Sequence, residues 1–168
     1  MGEVANLQAP EPLSEAHDCA GFQSGEASLD DWLQRRARGN QASGASRTFV
    51  ACSNSRVIGY YALASGAITS ELAPGRFRRN MPSPIPVVVL ARLAVDRTWQ
   101  GKGIGRALFR DAAQRVAQAA DVIGIRGIVV HSISDQAKCF YLALGFEPSP
   151  REQMTLLVTL TDLRATLS

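Results

Sequence analysis

The run Gln100-Gly101-Lys102-Gly103-Ile104-Gly105-Arg106 interleaves glycines and cations between an apolar stretch and a helical repeat. A turn of this composition can hold a phosphate. Glycine allows backbone conformations and close approaches that a Cβ forbids. The first turn of a following helix leaves N–H groups unpaired at the positive end of its dipole, which favours an anion such as a pyrophosphate. The spacing fits neither of two common phosphate loops: Gly103 follows Lys102 where a P-loop needs Ser or Thr, and Arg106 stands where a Rossmann fingerprint needs glycine. Other chemistry-bearing residues are scattered. Tyr141, on an Ala/Leu/Phe-rich segment, reads on its own as core packing. Cys139 beside it reads as a small buried hydrophobe, because no histidine is paired with it. Glu71, His131 and Glu152 are the candidate bases; none sits in a motif, and His131 at a strand end reads as structural. Cys19, Cys52 and Cys139 are odd in number and contain no C-x-x-C pair, which favours reduced thiols over a disulfide or zinc framework, and no metal site is expected.

The elements that must position these residues follow from periodicity. The run Val89-Leu90-Ala91-Arg92-Leu93-Ala94-Val95 reads as buried strand within an expected strand over 87–95, and Ile104, Leu108, Ala112 and Val116 then recur at helical spacing, which predicts a helix over 103–119. Gly127-Ile128-Val129-Val130 predicts a second buried strand, and residues 135–144 a short helix stopped by Gly145. Upstream, the spacing predicts a poorly structured acidic start over 1–12, and a helix around 29–39 in one or two pieces with Ser28 as its cap. A hairpin of 48–53 and 57–64 through Asn54-Ser55 follows, and then a segment at 67–72 that extends or turns. Pro82, Pro84 and Pro86 forbid a helix before the central strand, and a last strand is expected near 154–160. One α/β domain over residues 13–168 suits 168 residues with 46% hydrophobic content. The longest apolar runs are too short to span a membrane and the N-terminus lacks the order of a secretion signal, so the expectation is a cytoplasmic protein.

Charge is more sharply organised than the net +3 suggests. Met1 to Asp31 carries acids and no Lys or Arg, whereas Trp32 to Val95 carries nine arginines, no lysine and the single acid Glu71. Arginine's planar fork binds phosphate in two-pronged fashion and stacks on bases, so this segment points to nucleic acid or another polyanion. Helical spacing puts Arg35 and Arg38 on the more exposed side of the first helix, and Arg76, Arg78 and Arg79 fall in a Pro/Gly-flanked loop before the central strand.

The string Gln100-x-x-Gly103-x-Gly105, preceded by Arg92-Leu93-Ala94-Val95, resembles the acetyl-coenzyme A signature of the GNAT acetyltransferases. Ala137-x-x-Phe140-Tyr141-x-x-Leu144-Gly145-Phe146 resembles the second signature of that family. The resemblance implies an α/β (α+β) fold with a mixed central sheet flanked by helices, acetyl-coenzyme A as cofactor, and acetyl transfer to a primary amine. By the same resemblance, the strand positions Leu93, Ala94 and Val95 receive the acetyl carbonyl and pantetheine arm through the amides of Leu93 and Val95. The backbone amides of Gly101, Lys102, Gly103, Ile104, Gly105 and Arg106 receive the pyrophosphate, and Gln100 and Phe140 belong to the cofactor site. Ser134 stands where many members have an asparagine contacting the cofactor arm. Tyr141 matches the tyrosine that protonates the departing thiolate, a task suited to a hydroxyl of pKa near 10.

Gly44-Ala45-Ser46-Arg47-Thr48-Phe49-Val50, Gly59-Tyr60-Tyr61-Ala62-Leu63, Pro84-Ile85-Pro86-Val87 and Trp99-Gln100-Gly101-Lys102-Gly103 resemble, more narrowly, the bacterial GNAT toxins of toxin–antitoxin modules. That resemblance implies acetylation of the α-amino group of aminoacyl-tRNA, arrest of translation, a ribbon-helix-helix antitoxin as partner, and a homodimer. Arg35, Arg38, Arg76, Arg78, Arg79 and Arg92 are then the expected tRNA contacts. An α-amino group, with a pKa near 8, needs no strong base. Two alternatives stay open: an acetyltransferase for a small amine or protein N-terminus, and a non-catalytic coenzyme A-binding module, against which the complete glycine string and Tyr141 argue.

Overall fold

A computed structural model of the chain describes residues 7–167. Among these residues one mixed sheet has the strand order β1-β2-β3-β4-β5-β7-β6. Its strands are β1 (Glu11–Pro12), β2 (Arg47–Ser53), β3 (Arg56–Ile68), β4 (Ile85–Val95), β5 (Gly127–His131), β6 (Glu147–Pro148) and β7 (Thr155–Thr159). The helices are α1 (Ala27–Arg35), α2 (Ala37–Ser43), α3 (Gly75–Arg78), α4 (Ile104–Ala119), α5 (Asp135–Ala143) and α6 (Leu160–Leu167). The chain forms two compact units: one runs to Ala64 and includes Arg92–Ala112, the other comprises Ser65–Ala91 and Ala113 onward.

In the first unit β2 and β3 form an antiparallel hairpin, with a bulge between Ala51 and Cys52. Asn54 and Ser55 turn it with φ of 52° and 70°, the backbone sense that suits a two-residue hairpin loop. Its core gathers Leu13, Phe22, Leu33, Val50, Val57 and Tyr60, while Ile104 and Leu108 of α4 pack on Ala51 and Ile58. The expected start of α1 is corrected: Glu26 occupies the N-cap without a side-chain bond and Ser28 lies inside the helix. The preceding turn is closed instead by Asp30, whose carboxylate accepts the Ser24 N–H at 2.9 Å and the Ser24 hydroxyl at 2.6 Å. Disorder over the acidic start is not what residues 7–12 show. Gln8 N–H donates to Cys52 O, and Glu11 and Pro12 pair with Val50 and Phe49; residues 1–6 lie outside the described residues. Pro12 is tolerated because the strand is two residues long and at a sheet edge.

In the second unit β4 and β5 run parallel, Val88 beside Ile128 and Val89 beside Val129, and β5 pairs antiparallel with β7. The core holds Ile68, Phe77, Ile85, Val87, Val129 and Leu157. Strand β5 lies so close to β7 that a Cβ at Gly127 would collide with the Val158 carbonyl oxygen. Two elements were not expected from the sequence, the short β6 and the terminal α6, while residues 76–78, expected in a loop, wind into the single turn of α3.

Candidate active site

In the first unit, β4 delivers Leu93, Ala94 and Val95 and then breaks at Asp96, a carboxylate only 2% exposed. Asp96 Oδ2 accepts the Gln23 N–H at 3.1 Å; Oδ1 accepts the Thr98 N–H at 3.1 Å and its hydroxyl at 2.8 Å, and the Arg56 guanidinium stands 3.7 Å away. Burial alone would raise the Asp96 pKa. The Gln23 and Thr98 hydrogen bonds and the Arg56 charge outweigh it and hold the carboxyl below its ordinary range. The next side chain, Gln100, donates through Nε2 to Ser24 O at 2.7 Å and Val95 O at 2.8 Å. Its amide therefore braces the turn, a scaffold role that sequence reasoning, which placed it at the cofactor, did not separate from direct binding.

The glycines behave as their spacing requires. Gly101 and Gly103 have φ of 78° and 82°, and a Cβ at either would meet nothing within 4 Å, so the turn opens onto free space. The first α4 bond in which Gly103 takes part is donated by Ala107 N–H, at 3.1 Å, which leaves the amides of Ile104, Gly105 and Arg106 as the helix's free first-turn donors. Arg106 and Lys102 are exposed, and Lys102 Nζ lies 5.5 Å from the Trp99 ring centroid. Unpaired amides, a helix dipole and two cations around an open cradle fit a diphosphate.

In the second unit α5 carries Phe140 and Tyr141. Ser134 is its N-cap and its hydroxyl oxygen accepts the Ala137 N–H at 3.1 Å, leaving the O–H to donate elsewhere. Tyr141 is 6% exposed and wedged between Phe140 and Phe146, with ring centroids at 5.1 and 5.4 Å. Burial pushes its phenol pKa well up, so the group is protonated at neutral pH. Buried tyrosine hydroxyls usually find a partner. Those of Tyr60 and Tyr61 do, on Leu29 O and Asp111, whereas the Tyr141 hydroxyl bonds to nothing among the described residues. Gly145, at φ 101°, ends the helix.

One further expectation changes, that for Cys139, while His131 and Glu71 lie where the sequence puts them, at a strand end and in a turn. Cys139 is exposed on α5 and is no core residue, because the helix faces the interior with Tyr141 two positions on. His131 is exposed at the end of β5, and its Nδ1 lies 3.0 Å from the Thr155 hydroxyl, which donates to Glu152 Oε2 at 3.2 Å; two of the candidate bases are thus connected, a link spacing could not reveal. Glu71 lies in a 3-10 turn, Ser70–Leu72. Among the described residues no cluster of side chains could hold a metal.

The six expected tRNA-binding arginines divide by what they touch. Arg38 is turned inward, giving Nη2 hydrogen bonds to His17 O at 2.7 Å and Ser14 O at 3.2 Å, so it ties down the chain before α1. Arg76 pairs with Asp162 at 2.6 Å, and Arg35 with Asp31 one helical turn away at 3.3 Å. Arg92 lies over the Trp32 ring at 5.1 Å. Arg78 and Arg79, at the end of α3, are exposed. Residues 76 and 77 have their carbonyls held by Arg126, whose Nη2 and Nε donate to them at 2.8 Å each.

Residues 44–148 match the acetyltransferase (GNAT) domain family. The chain is 51% identical over 162 residues, 96% of its length and 98% of the relative's, to a tRNA-acetylating toxin of Mycobacterium tuberculosis. Its fold matches that of AtaT complexed with acetyl-methionyl-tRNAfMet, with a TM-score of 0.88 and 28% identity, covering 96% of this chain and 99% of that one. It also matches a tyrosine-to-phenylalanine variant of the AtaT toxin bound to the C-terminus of the antitoxin AtaR and acetyl-CoA, with a TM-score of 0.83 and 27% identity, covering 97% and 99%.

Proposed function

Because the chain belongs to the GNAT acetyltransferase family, whose enzymes draw on acetyl-coenzyme A, we propose that it acetylates the α-amino group of aminoacyl-tRNA and thereby acts as a translation-blocking toxin. The observation that carries this reading is the 51% identity, along 96% of the chain, with a toxin named for acetylating tRNA. The solved AtaT complexes with acetylated initiator tRNA and with an antitoxin support the same acceptor and the same kind of partner. A ribbon-helix-helix antitoxin, a homodimer and a cytoplasmic site of action, where aminoacyl-tRNA is found, complete the proposal. Among the described residues no helix is long and apolar enough to cross a membrane.

Acetyl-coenzyme A supplies an acetyl group on a thioester whose sulfur can leave. The amides of Ile104, Gly105 and Arg106 and the cations Lys102 and Arg106 hold the diphosphate of such a cofactor at the open glycine turn. In the first unit the backbone amides at Leu93 and Val95, with Ala94 between them, would hold the acyl carbonyl and the arm; in the second, Ser134 keeps an O–H and Phe140 an apolar face that such a cofactor would use. Tyr141, protonated and with no hydrogen-bond partner for its hydroxyl among the described residues, would give its proton to the leaving sulfur. Arg78 and Arg79 contact RNA phosphates, with Arg35 and Arg92 adding positive charge and Arg38 and Arg76 acting chiefly through the structure they brace.

The test incubates the purified protein with labelled acetyl-coenzyme A and bulk charged tRNA, and follows label before and after mild alkaline cleavage of the aminoacyl ester. Alkali-releasable N-acetyl amino acid is the expected product. Cofactor binding with no label in RNA would overturn the acceptor and favour a small amine or a protein N-terminus.

A further inference from the structure

The pairing of His131 with Thr155 has a chemical direction. These residues face each other across the β5/β7 ladder, and the Thr155 side chain is buried at 4% exposure. A hydroxyl has one proton to give, and an ionised carboxylate can only accept. Since Thr155 Oγ1 donates to Glu152 Oε2, it must receive from His131 Nδ1, so the ring carries its proton on Nδ1. Nε2 is then left with a free lone pair on an exposed residue. Glu152 is not placed by chance: its N–H donates to the buried Ser149 hydroxyl at 3.2 Å, and its carbonyl accepts the Thr155 N–H at 3.0 Å. A buried turn therefore fixes the carboxylate, the carboxylate orients the hydroxyl, and the hydroxyl orients the imidazole. The same logic, an acid fixing a histidine tautomer, prepares histidine bases elsewhere.

The location matches a role in transfer. His131 closes β5 at its carboxyl end, the end at which parallel strands of α/β sheets carry ligands. Three residues on, Ser134 caps the helix that bears Tyr141.

We propose that His131 Nε2 is the base that takes the acceptor amine's proton, with Thr155 and Glu152 as positioning residues behind it; this rests on the amine-acetylating reading above. The amine nitrogen bonds to the acetyl carbonyl carbon as the carbon–sulfur bond breaks. The surplus proton on nitrogen goes to Nε2, and the leaving sulfur takes the Tyr141 phenol proton. One proton then passes through solvent from imidazolium to phenolate, restoring both groups.

The experiment has a structural and a kinetic arm. In the free protein, long-range proton–nitrogen NMR of the His131 ring should show the Nδ1–H tautomer, and Thr155→Val should convert it toward Nε2–H. In acetyl transfer to charged tRNA, His131→Ala should lower kcat by about 100-fold with the KM for acetyl-coenzyme A unchanged, and added imidazole should restore at least about tenfold. Thr155→Val should cost about tenfold alone and nothing further on top of His131→Ala. Melting curves serve as the folding control, the exposed His131 being the safer of the two substitutions. An Nε2–H tautomer in the wild type, a kcat for His131→Ala within about threefold of wild type, or failure of imidazole to rescue would overturn the proposal. Absence of transfer by the wild-type protein, with the Nδ1–H tautomer present, would instead remove the acceptor reading.

Discussion

The Asp96 carboxylate accepts the backbone N–H of Gln23, 73 residues away in sequence, at 3.1 Å. That bond fixes the segment before α1 to the residue at which β4 turns toward the glycines. Arg97 N–H, bonded to Gln23 O at 2.8 Å, makes the tie two-sided.

Asp96→Ala should therefore lower unfolding free energy by about 3 kcal/mol, because it removes charge-assisted bonds and strands buried donors. The pH dependence follows from the lowered pKa of the folded carboxyl. Folded protein binds fewer protons here than unfolded chain, so the contribution is complete above the unfolded value of about 3.9 and is lost as pH falls through the folded value. Denaturant titrations across the acid range check this: Asp96→Asn should flatten the acid-side loss.

Tyr141→Phe removes a hydroxyl that bonds to nothing among the described residues, so the thermal midpoint and cofactor binding should stay near wild type. The rate of acetyl transfer should drop by about 100-fold or more if the phenol is the acid. A variant that still arrests growth on expression would remove Tyr141 from the chemistry.

Gly103→Ala isolates the backbone requirement. Its Cβ would meet no atom, yet φ 82° is unfavourable to alanine by about 1–2 kcal/mol. Modest destabilisation with a several-fold rise in the KM for acetyl-coenzyme A is expected. Gly127→Ala meets the opposite obstacle, the carbonyl oxygen of Val158 in the space its Cβ would take, and should fail to give stable protein; expression and melting of the pair separate strain from collision.

Replacing Arg78 and Arg79 with alanine should weaken tRNA binding while sparing acetylation of any small amine. The slope of log affinity against log salt should fall by about 1 for each phosphate no longer neutralised. Arg38→Ala, by contrast, should show as a lower melting temperature, since that guanidinium serves three carbonyl- and sulfur-bearing neighbours at Ser14, His17 and Cys19.

Thiol labelling distinguishes the cysteines. Cys139 is exposed and should react quickly in the native protein. Cys19 and Cys52 are buried, and burial lifts the Cys52 thiol to about 11, so both should react only on unfolding.

What was legible in the sequence is what local pattern dictates. The glycine turn, the β4 run and the α5 helix stopped by Gly145 all follow from periodicity and backbone freedom, and the observed bounds agree to within two residues or so. What was not legible depends on partners distant in the chain. Asp96 reads as an ordinary loop acid until Gln23 meets it, and Arg38 as a surface cation until the carbonyls of Ser14 and His17 do. Helix α6 escapes notice because Thr159, which ends β7, also accepts the Asp162 N–H at 3.1 Å, so one β-branched residue serves as both strand end and helix start.

Helix α3 is a single turn, too short to persist alone. Phe77 anchors it at 2% exposure, and Arg126 holds its carbonyls while lying over the Phe77 ring at 6.0 Å. A polyanion that meets Arg78 and Arg79 consequently finds their main chain already ordered. Only side-chain rotamer freedom remains to be given up on association, sparing the backbone ordering of about 1–2 kcal/mol per residue that a flexible basic loop would surrender. Loosening the platform at Arg126 should then shorten the lifetime of the complex more than it slows encounter, since the charges that steer approach would be unchanged apart from that one guanidinium.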